Sequence, residues 1–191
     1  QIRSTNQKIN WVPEHIKNGR FGQGIETAPD WCLSRSRFWA SPIPVWECDC
    51  GETYVPSSIA DLETKSGQKV TNLHKPDIDE ITITCDKCGK KVHRVPEVLD
   101  CWFESGAMPY AQVHYPFENK EFFATSFPAD YIVEYIGQTR GWFYTLHVLS
   151  NTLFQSESFK NCVVTGTMMG TDGRKMSKLF KNYPDPKMVL Q

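Results

Sequence analysis

ADYIVEYIGQTRGWFYTLHVLSNTLFQSESFKNCVVTGT, residues 129–167, decides the fold. It opens on ADYIVEYI, a β-branched and aromatic run with the character of a strand. In GQTRGWFYTLHVLSNTLF, Trp142, Leu146, Leu149 and Leu153 recur at helical spacing. That spacing predicts a helix of about four turns with this face buried. CVVTGT, from Cys162 to Thr167, is a second β-branched run and reads as a buried strand. Strand, helix and strand in succession make the right-handed crossover of a parallel sheet. A loop rich in Gly, Asp and Lys then leaves the carboxyl end of the second strand, where sheets of this kind bind nucleotides. The expected class is α/β.

Working outward, the chain divides into three regions. Residues 1–44 hold an apolar segment around Trp11, Val12 and Ile16, a Gly-rich turn, and WCLSRSRFWASPIP, whose Pro42 and Pro44 impose an extended exit. Residues 45–97 are poorer in large apolar groups and read as an insertion; within them SSIADLETKS forms a short helix capped by Ser57 or Ser58. Residues 98–191 return to aromatic and apolar character. Among 191 residues, 21 basic groups nearly cancel 22 acidic ones, so no global field points to a nucleic acid or a membrane. No apolar run approaches the roughly 20 residues of a membrane span, and QIRSTNQKIN at the start is not a secretory pattern, so a cytoplasmic setting is expected. A first residue of Gln1 and a final KMVLQ that reads as an opening helix suggest a piece of a longer chain.

Seven cysteines without an export signal point to thiols or metal rather than disulfides. Cys48 and Cys50 before Gly51, and Cys85 and Cys88 before Gly89, form two hooks that can give four thiolates to a tetrahedral, closed, structural zinc. The hook CDCG is one residue short, although residues two apart in an extended strand point the same way. His93 or His74 could replace one sulfur; unligated surface thiols are the bland alternative. Cys32, Cys101 and Cys162, in aromatic or β-branched surroundings, read as small core residues.

GTMMGTDGRKMSK, residues 166–178, sets Lys175 and Lys178 on either side of Met176 and Ser177. Arg174 and Met176 break the order that a Walker phosphate loop needs. Taken alone, the lysines would be a solvated basic turn.

DGRKMSKL resembles the KMSKS loop of class I aminoacyl-tRNA synthetases, and the isoleucine-specific branch matches best. Its stretches occur in order: DWCLSRSRFWASPIPVW (30–46), LDCWFESGAMPYA (99–111), ADYIVEYIGQTRGWFYT (129–145), FKNCVVTG (159–166) and DGRKMSKLFKNYPDP (172–186). The resemblance implies the second half of a Rossmann-like parallel-sheet catalytic domain with a zinc-ribbon insertion. It implies ATP with Mg2+, L-isoleucine and tRNA(Ile) as substrates and partners, a structural Zn2+, and a monomeric complete enzyme. Lys178 and, less strongly, Lys175 would stabilise charge on the phosphates, with Ser177 ordering the loop or donating to a phosphate oxygen. Glu134 and Gln138 would hold the amino acid and its adenylate, and Trp102 and Trp142 would line the isoleucine pocket.

Tyr135, Gly137 and Leu179 depart from the family pattern. Neither a HIGH-type motif, the other half of the ATP site, nor an editing domain is present, so these residues alone should not aminoacylate. The sheet, short of partner strands, should expose an apolar edge. The competing readings are a non-catalytic zinc-ribbon nucleic-acid-binding protein derived from a synthetase, and a valine-specific enzyme.

Overall fold

A computed structural model describes residues 1–190. The chain forms two compact units, residues 1–28 with 106–191 and residues 29–105. Among the described residues, no helix is long and apolar enough to cross a membrane.

The first unit is built on a three-stranded parallel sheet. Helix α1 (Ile2–Lys8) leads into β1 (Asn10–Val12); β2 (Ala129–Tyr135) is followed by helix α2 (Trp142–Phe154) and then by β3 (Phe159–Thr165). The strand order is β1-β3-β2, with Ala129 opposite Phe159 and Tyr135 opposite Thr165, and Trp11 opposite Cys162. The strand–helix–strand crossover is thus present, and its central strand carries the buried Phe159, Cys162 and Val164. Val12, Tyr131 and Val133 on the two outer strands remain exposed, which gives the sheet apolar edges. Trp11 anchors the core: its ring lies 4.5 Å from Phe21 and meets Phe143 and Phe159 edge-on at 6.0 and 5.9 Å. Such pairs add to the burial of large apolar area.

One part of the helix reading is corrected. Leu146 and Leu149 are buried, but Leu153 is 56% exposed, and the inward face runs instead through Phe143, Leu146, His147 and Ser150. The helix is seated by polar residues that an apolar count ignores. Thr5 Oγ1 donates to Asn151 Oδ1 at 2.7 Å, and the Asn151 amide donates to the His147 carbonyl at 2.7 Å. His147 Nε2 lies 3.0 Å from the Ile2 carbonyl oxygen and 3.2 Å from Thr5 Oγ1. These bonds fasten α1 to α2.

Burial lowers the His147 pKa and outweighs the Ile2 carbonyl and Glu157, which raise it. The folded state therefore resists a proton that the unfolded chain accepts below its ordinary value of 6.5. Stability from this group is complete above that pH and falls as pH drops through it, by up to about 1.4 kcal/mol per pH unit. Melting temperatures between pH 7.5 and 5.5 should fall for the native protein and show a flatter slope for His147→Gln.

The second unit is made of short antiparallel hairpins. Trp46–Glu47 pairs with Thr53–Tyr54, and Ile83–Thr84 with Lys91–Val92. Between them runs the helix Ile59–Ser66, capped where the Ser58 hydroxyl accepts the Asp61 N–H at 3.1 Å. Asp61 in turn accepts the Ser57 N–H at 2.8 Å, a reciprocal arrangement that satisfies the first turn. Trp46, Leu62, Ile78, Ile81, Ile83 and Val92 pack together beneath the cysteines. The Trp46 indole N–H donates to the Ile81 carbonyl at 2.9 Å. A buried Arg94 guanidinium pairs with Asp79 and donates to the carbonyls of Ile43 and Glu97.

Candidate metal centre and nucleotide site

Each hook lies in the turn of a hairpin. The Cys48 N–H donates to the Glu52 carbonyl and the Gly51 N–H back to the Cys48 carbonyl, both at 2.8 Å. In the second hook, Cys85 N–H donates to Lys90 and Gly89 N–H to Cys85, both at 2.9 Å. Gly51 and Gly89 take φ of +85° and +71°, the left-handed region that closes each turn and suits glycine. The folded hooks bring all four thiols together, with every pair of sulfurs among Cys48, Cys50, Cys85 and Cys88 within 4.8 Å. Two of these contacts run across the hooks, Cys48 to Cys88 at 3.5 Å and Cys50 to Cys85 at 3.6 Å. A tetrahedral zinc with Zn–S bonds of about 2.3 Å sets its sulfurs about 3.8 Å apart. The four residues therefore fit that ion, and a set of four sulfurs leaves no ligand position for water.

His74 stacks on Trp39 at 5.7 Å and lies 3.1 Å from the Asn72 amide oxygen, and His93 is exposed. Neither is in the metal-type group found among the described residues. The Cys88 N–H, with other donors, holds Cys85 down to about 7. The Cys50 N–H also favours a Cys48 thiolate, but burial and the neighbouring thiols outweigh it and push Cys48 up to about 12. Four thiols this close cannot all ionise unless a cation joins them.

Of the other cysteines, Cys162 is buried in the sheet as expected. Cys32 and Cys101 are exposed, contrary to the core reading, because each lies beside polar partners rather than under the sheet. Cys32 contacts Ser34, and Cys101 donates to Asp100. Asp100 was not singled out by its sequence context. Burial works against its charge, yet the Trp31 indole N–H at 2.9 Å, the Trp102 N–H at 3.3 Å and Arg35 at 2.8 Å keep it below the usual carboxylate range. It fixes the start of the helix Cys101–Gly106, which carries the exposed Trp102 in the second unit.

In the first unit, the proposed adenylate residues cluster at the carboxyl end of β2. Glu134 Oε2 accepts the Tyr135 N–H at 3.0 Å, and the Glu134 side chain is exposed. Gln138 Oε1 accepts the Trp142 N–H at 2.8 Å, supplying the opening turn of α2 with a side-chain cap. Trp142 is half-buried against Phe143 at 6.3 Å. The lysine loop follows β3 and folds back on itself through a bridge between Met169 and Lys175. Its Lys175 ammonium stands 5.3 Å from the centre of the Tyr135 ring. Lys178 is exposed. Ser177 is turned to the loop itself, where its Oγ accepts the Phe180 N–H at 3.2 Å.

The turn is braced from within. Asp172 accepts the Arg174 N–H at 3.0 Å and the Asn182 amide at 3.1 Å, and these bonds, the Arg174 N–H first, lower its pKa. Asn182 Oδ1 accepts the Ser177 N–H at 3.0 Å. Gly170 sits under this knot: a Cβ there would lie 2.7 Å from the Asn182 carbonyl oxygen and 2.9 Å from Asp172 Oδ1. Gly170→Ala should therefore push the turn apart, a strain of about 1–3 kcal/mol. Limited trypsin digestion should nick the variant several-fold faster at Arg174, Lys175 or Lys178.

The model for tRNA synthetases class I (I, L, M and V) matches residues 1–191. An isoleucine–tRNA ligase of Treponema denticola is 55% identical over 192 residues, covering 100% of this chain and 18% of the relative. Isoleucine–tRNA ligase 2 of Pseudomonas fluorescens is likewise 55% identical, over 100% of this chain and 19% of the relative. The chain thus spans less than a fifth of the length of these relatives. Among solved structures, a LeuRS of Agrobacterium radiobacter K84, in a ternary complex with tRNA and LeuAMS, superposes with a TM-score of 0.60 at 20% identity. That superposition covers 92% of this chain and 25% of the LeuRS chain, and it supports the α/β fold. Because the family match runs from the first residue to the last, with the cysteine-bearing unit included, the chain belongs to the class I tRNA synthetases of the isoleucine, leucine, methionine and valine group.

Proposed function

We propose that this chain is the second half of the catalytic domain of an isoleucine–tRNA ligase. The complete protein would activate L-isoleucine with MgATP and pass it to tRNA(Ile), working as a monomer in the cytoplasm. The observation that carries the reading is the meeting of the lysine loop, through Lys175 and Tyr135, with the carboxyl end of β2 beside Glu134 and Gln138. Sheets of this kind bind nucleotides at that end. The 55% identity to isoleucine–tRNA ligases over the whole chain supports the choice of amino acid.

The chemistry asks for positioning and positive charge. The carboxylate of isoleucine is already ionised at neutral pH, so one of its oxygens can attack the α-phosphorus directly. The bond from that phosphorus to the bridging oxygen breaks, and pyrophosphate leaves with the electron pair. No proton needs to be removed, and a nucleophile–base pair is unnecessary. Lys178 and Lys175 would meet the charge that builds on the departing phosphates. Ser177 would act by holding the turn between them. Glu134 would pair with the substrate ammonium, Gln138 would orient the adenylate, and Trp142 would line the side-chain pocket. Residues 1–44 and 98–191 would belong to the catalytic domain, and 45–97 to the inserted ribbon. Cys48, Cys50, Cys85 and Cys88 would hold zinc, whose two positive charges offset half the charge of four crowded thiolates and close the ribbon.

The test is amino-acid-dependent exchange between pyrophosphate and ATP by the full-length protein, with isoleucine, valine and leucine in parallel. Exchange strongest with isoleucine is expected. Preference for valine would transfer the assignment to that enzyme, and exchange with none would favour a zinc-ribbon binding protein.

A further inference from the structure

Tyr135 and Gly137, two positions apart at the end of β2, form one feature in the structure. A Cβ at Gly137 would fall 2.4 Å from the Tyr135 ring, closer than any side chain tolerates, so the ring occupies the space that residue 137 leaves empty. The Tyr135 ring, half-buried at the end of β2, is also the surface over which Lys175 places its ammonium, at 5.3 Å from the centroid. Lys175 reaches it from the loop after β3, whose Thr165 lies opposite Tyr135 in the sheet. A flexible four-carbon stem would otherwise leave the ammonium free to sample many rotamers. An aromatic face within about 6 Å attracts a cation and narrows that search.

We propose that Tyr135, seated over Gly137, is the positioning residue of Lys175 and holds its ammonium at the carboxyl end of the sheet before the nucleotide arrives. The inference rests on the ligase reading for its kinetic consequence, although the contact itself does not. Tyr135 acts through the lysine and touches no reacting atom. Gly137 is required because the ring is there.

The experiment is a mutant cycle in the full-length protein. Tyr135→Leu should lower kcat/KM for ATP in pyrophosphate exchange about two- to fivefold, the range of an exposed cation–π contact, with KM for isoleucine unchanged. Tyr135→Phe should retain the native value. In a Lys175→Met background Tyr135→Leu should have no further effect, since residues that act as one unit are not additive. Gly137→Ala, which displaces the ring, should reproduce the Tyr135→Leu loss and add nothing on top of it. Trace acetylation read by mass spectrometry gives an arm free of activity: labelling of Lys175 relative to Lys178 should rise in Tyr135→Leu and Gly137→Ala and stay at the native level in Tyr135→Phe. Additive losses in the Lys175→Met background, or equal Lys175 labelling in all variants, would overturn the proposal. A wild-type protein inert in exchange would overturn the ligase reading instead, with the labelling arm still deciding the contact.

Discussion

Lys178→Ala in the full-length protein is expected to lower kcat for isoleucine-dependent pyrophosphate exchange by about a hundred- to a thousandfold, the usual loss when one donor to a developing charge is removed. The Lys178 ammonium lies on an exposed turn, at the end of a segment braced by Asp172 and Asn182 rather than by its own contacts. Its removal should therefore leave the fold intact. Because the negative charge it would meet builds during phosphoryl transfer, kcat and kcat/KM should fall together, with little change in isoleucine binding. Lys178→Arg keeps the charge and should recover part of the rate. A loss confined to KM for ATP would mean that the lysine binds ground-state nucleotide and has no special part in the transfer.

The second large effect concerns the four thiols. Purified protein should contain one zinc per chain by elemental analysis, and Cys85→Ala should abolish it. Structural zinc sites of this kind carry apparent binding free energies of about 10–16 kcal/mol near neutral pH, which exceeds the stability of a small ribbon. Three remaining cysteines would be left crowded within 4.8 Å with no cation to join them. Hydrogen exchange should then accelerate at the Cys48, Gly51 and Gly89 amides, which close the hooks. The β3 amides, which lie in the other unit, should keep their protection. Retention of slow exchange in a zinc-free protein would show that the hairpins stand without metal.

Much of this was legible in the chain because it is local. ADYIVEYI, the helix after it and CVVTGT declare strand, helix and strand within 39 consecutive positions, 129–167, and the hooks announce themselves by spacing. A cap at Ser57 or Ser58 was readable for the same reason, and Ser58 takes that place. What escaped depends on partners distant in sequence. Leu153 keeps helical spacing but faces solvent, because the helix is rotated toward α1 by Thr5, His147 and Asn151. Asp100 gathers Trp31 and Arg35 from 69 and 65 positions away, which no local pattern signals. Cys32 and Cys101 resemble core residues by their aromatic neighbours, yet those neighbours are held by Asp100 at an exposed surface. Tyr135 and Gly137 looked like separate departures from a motif, and only the ring's position makes them one.

The placement of β1 bears on the order in which the chain becomes ordered. Asn10 donates to Asn161, 151 positions later, and the whole second unit is spelled out between them. During synthesis Trp11 can meet Phe21 early, but its contacts with Phe143 and Phe159 must wait until those residues have emerged. The entropic toll of closing so wide a loop grows only logarithmically with its length, but it must be met before any contact repays it. Contacts of such span form late relative to the hairpins of the second unit, whose pairings are local.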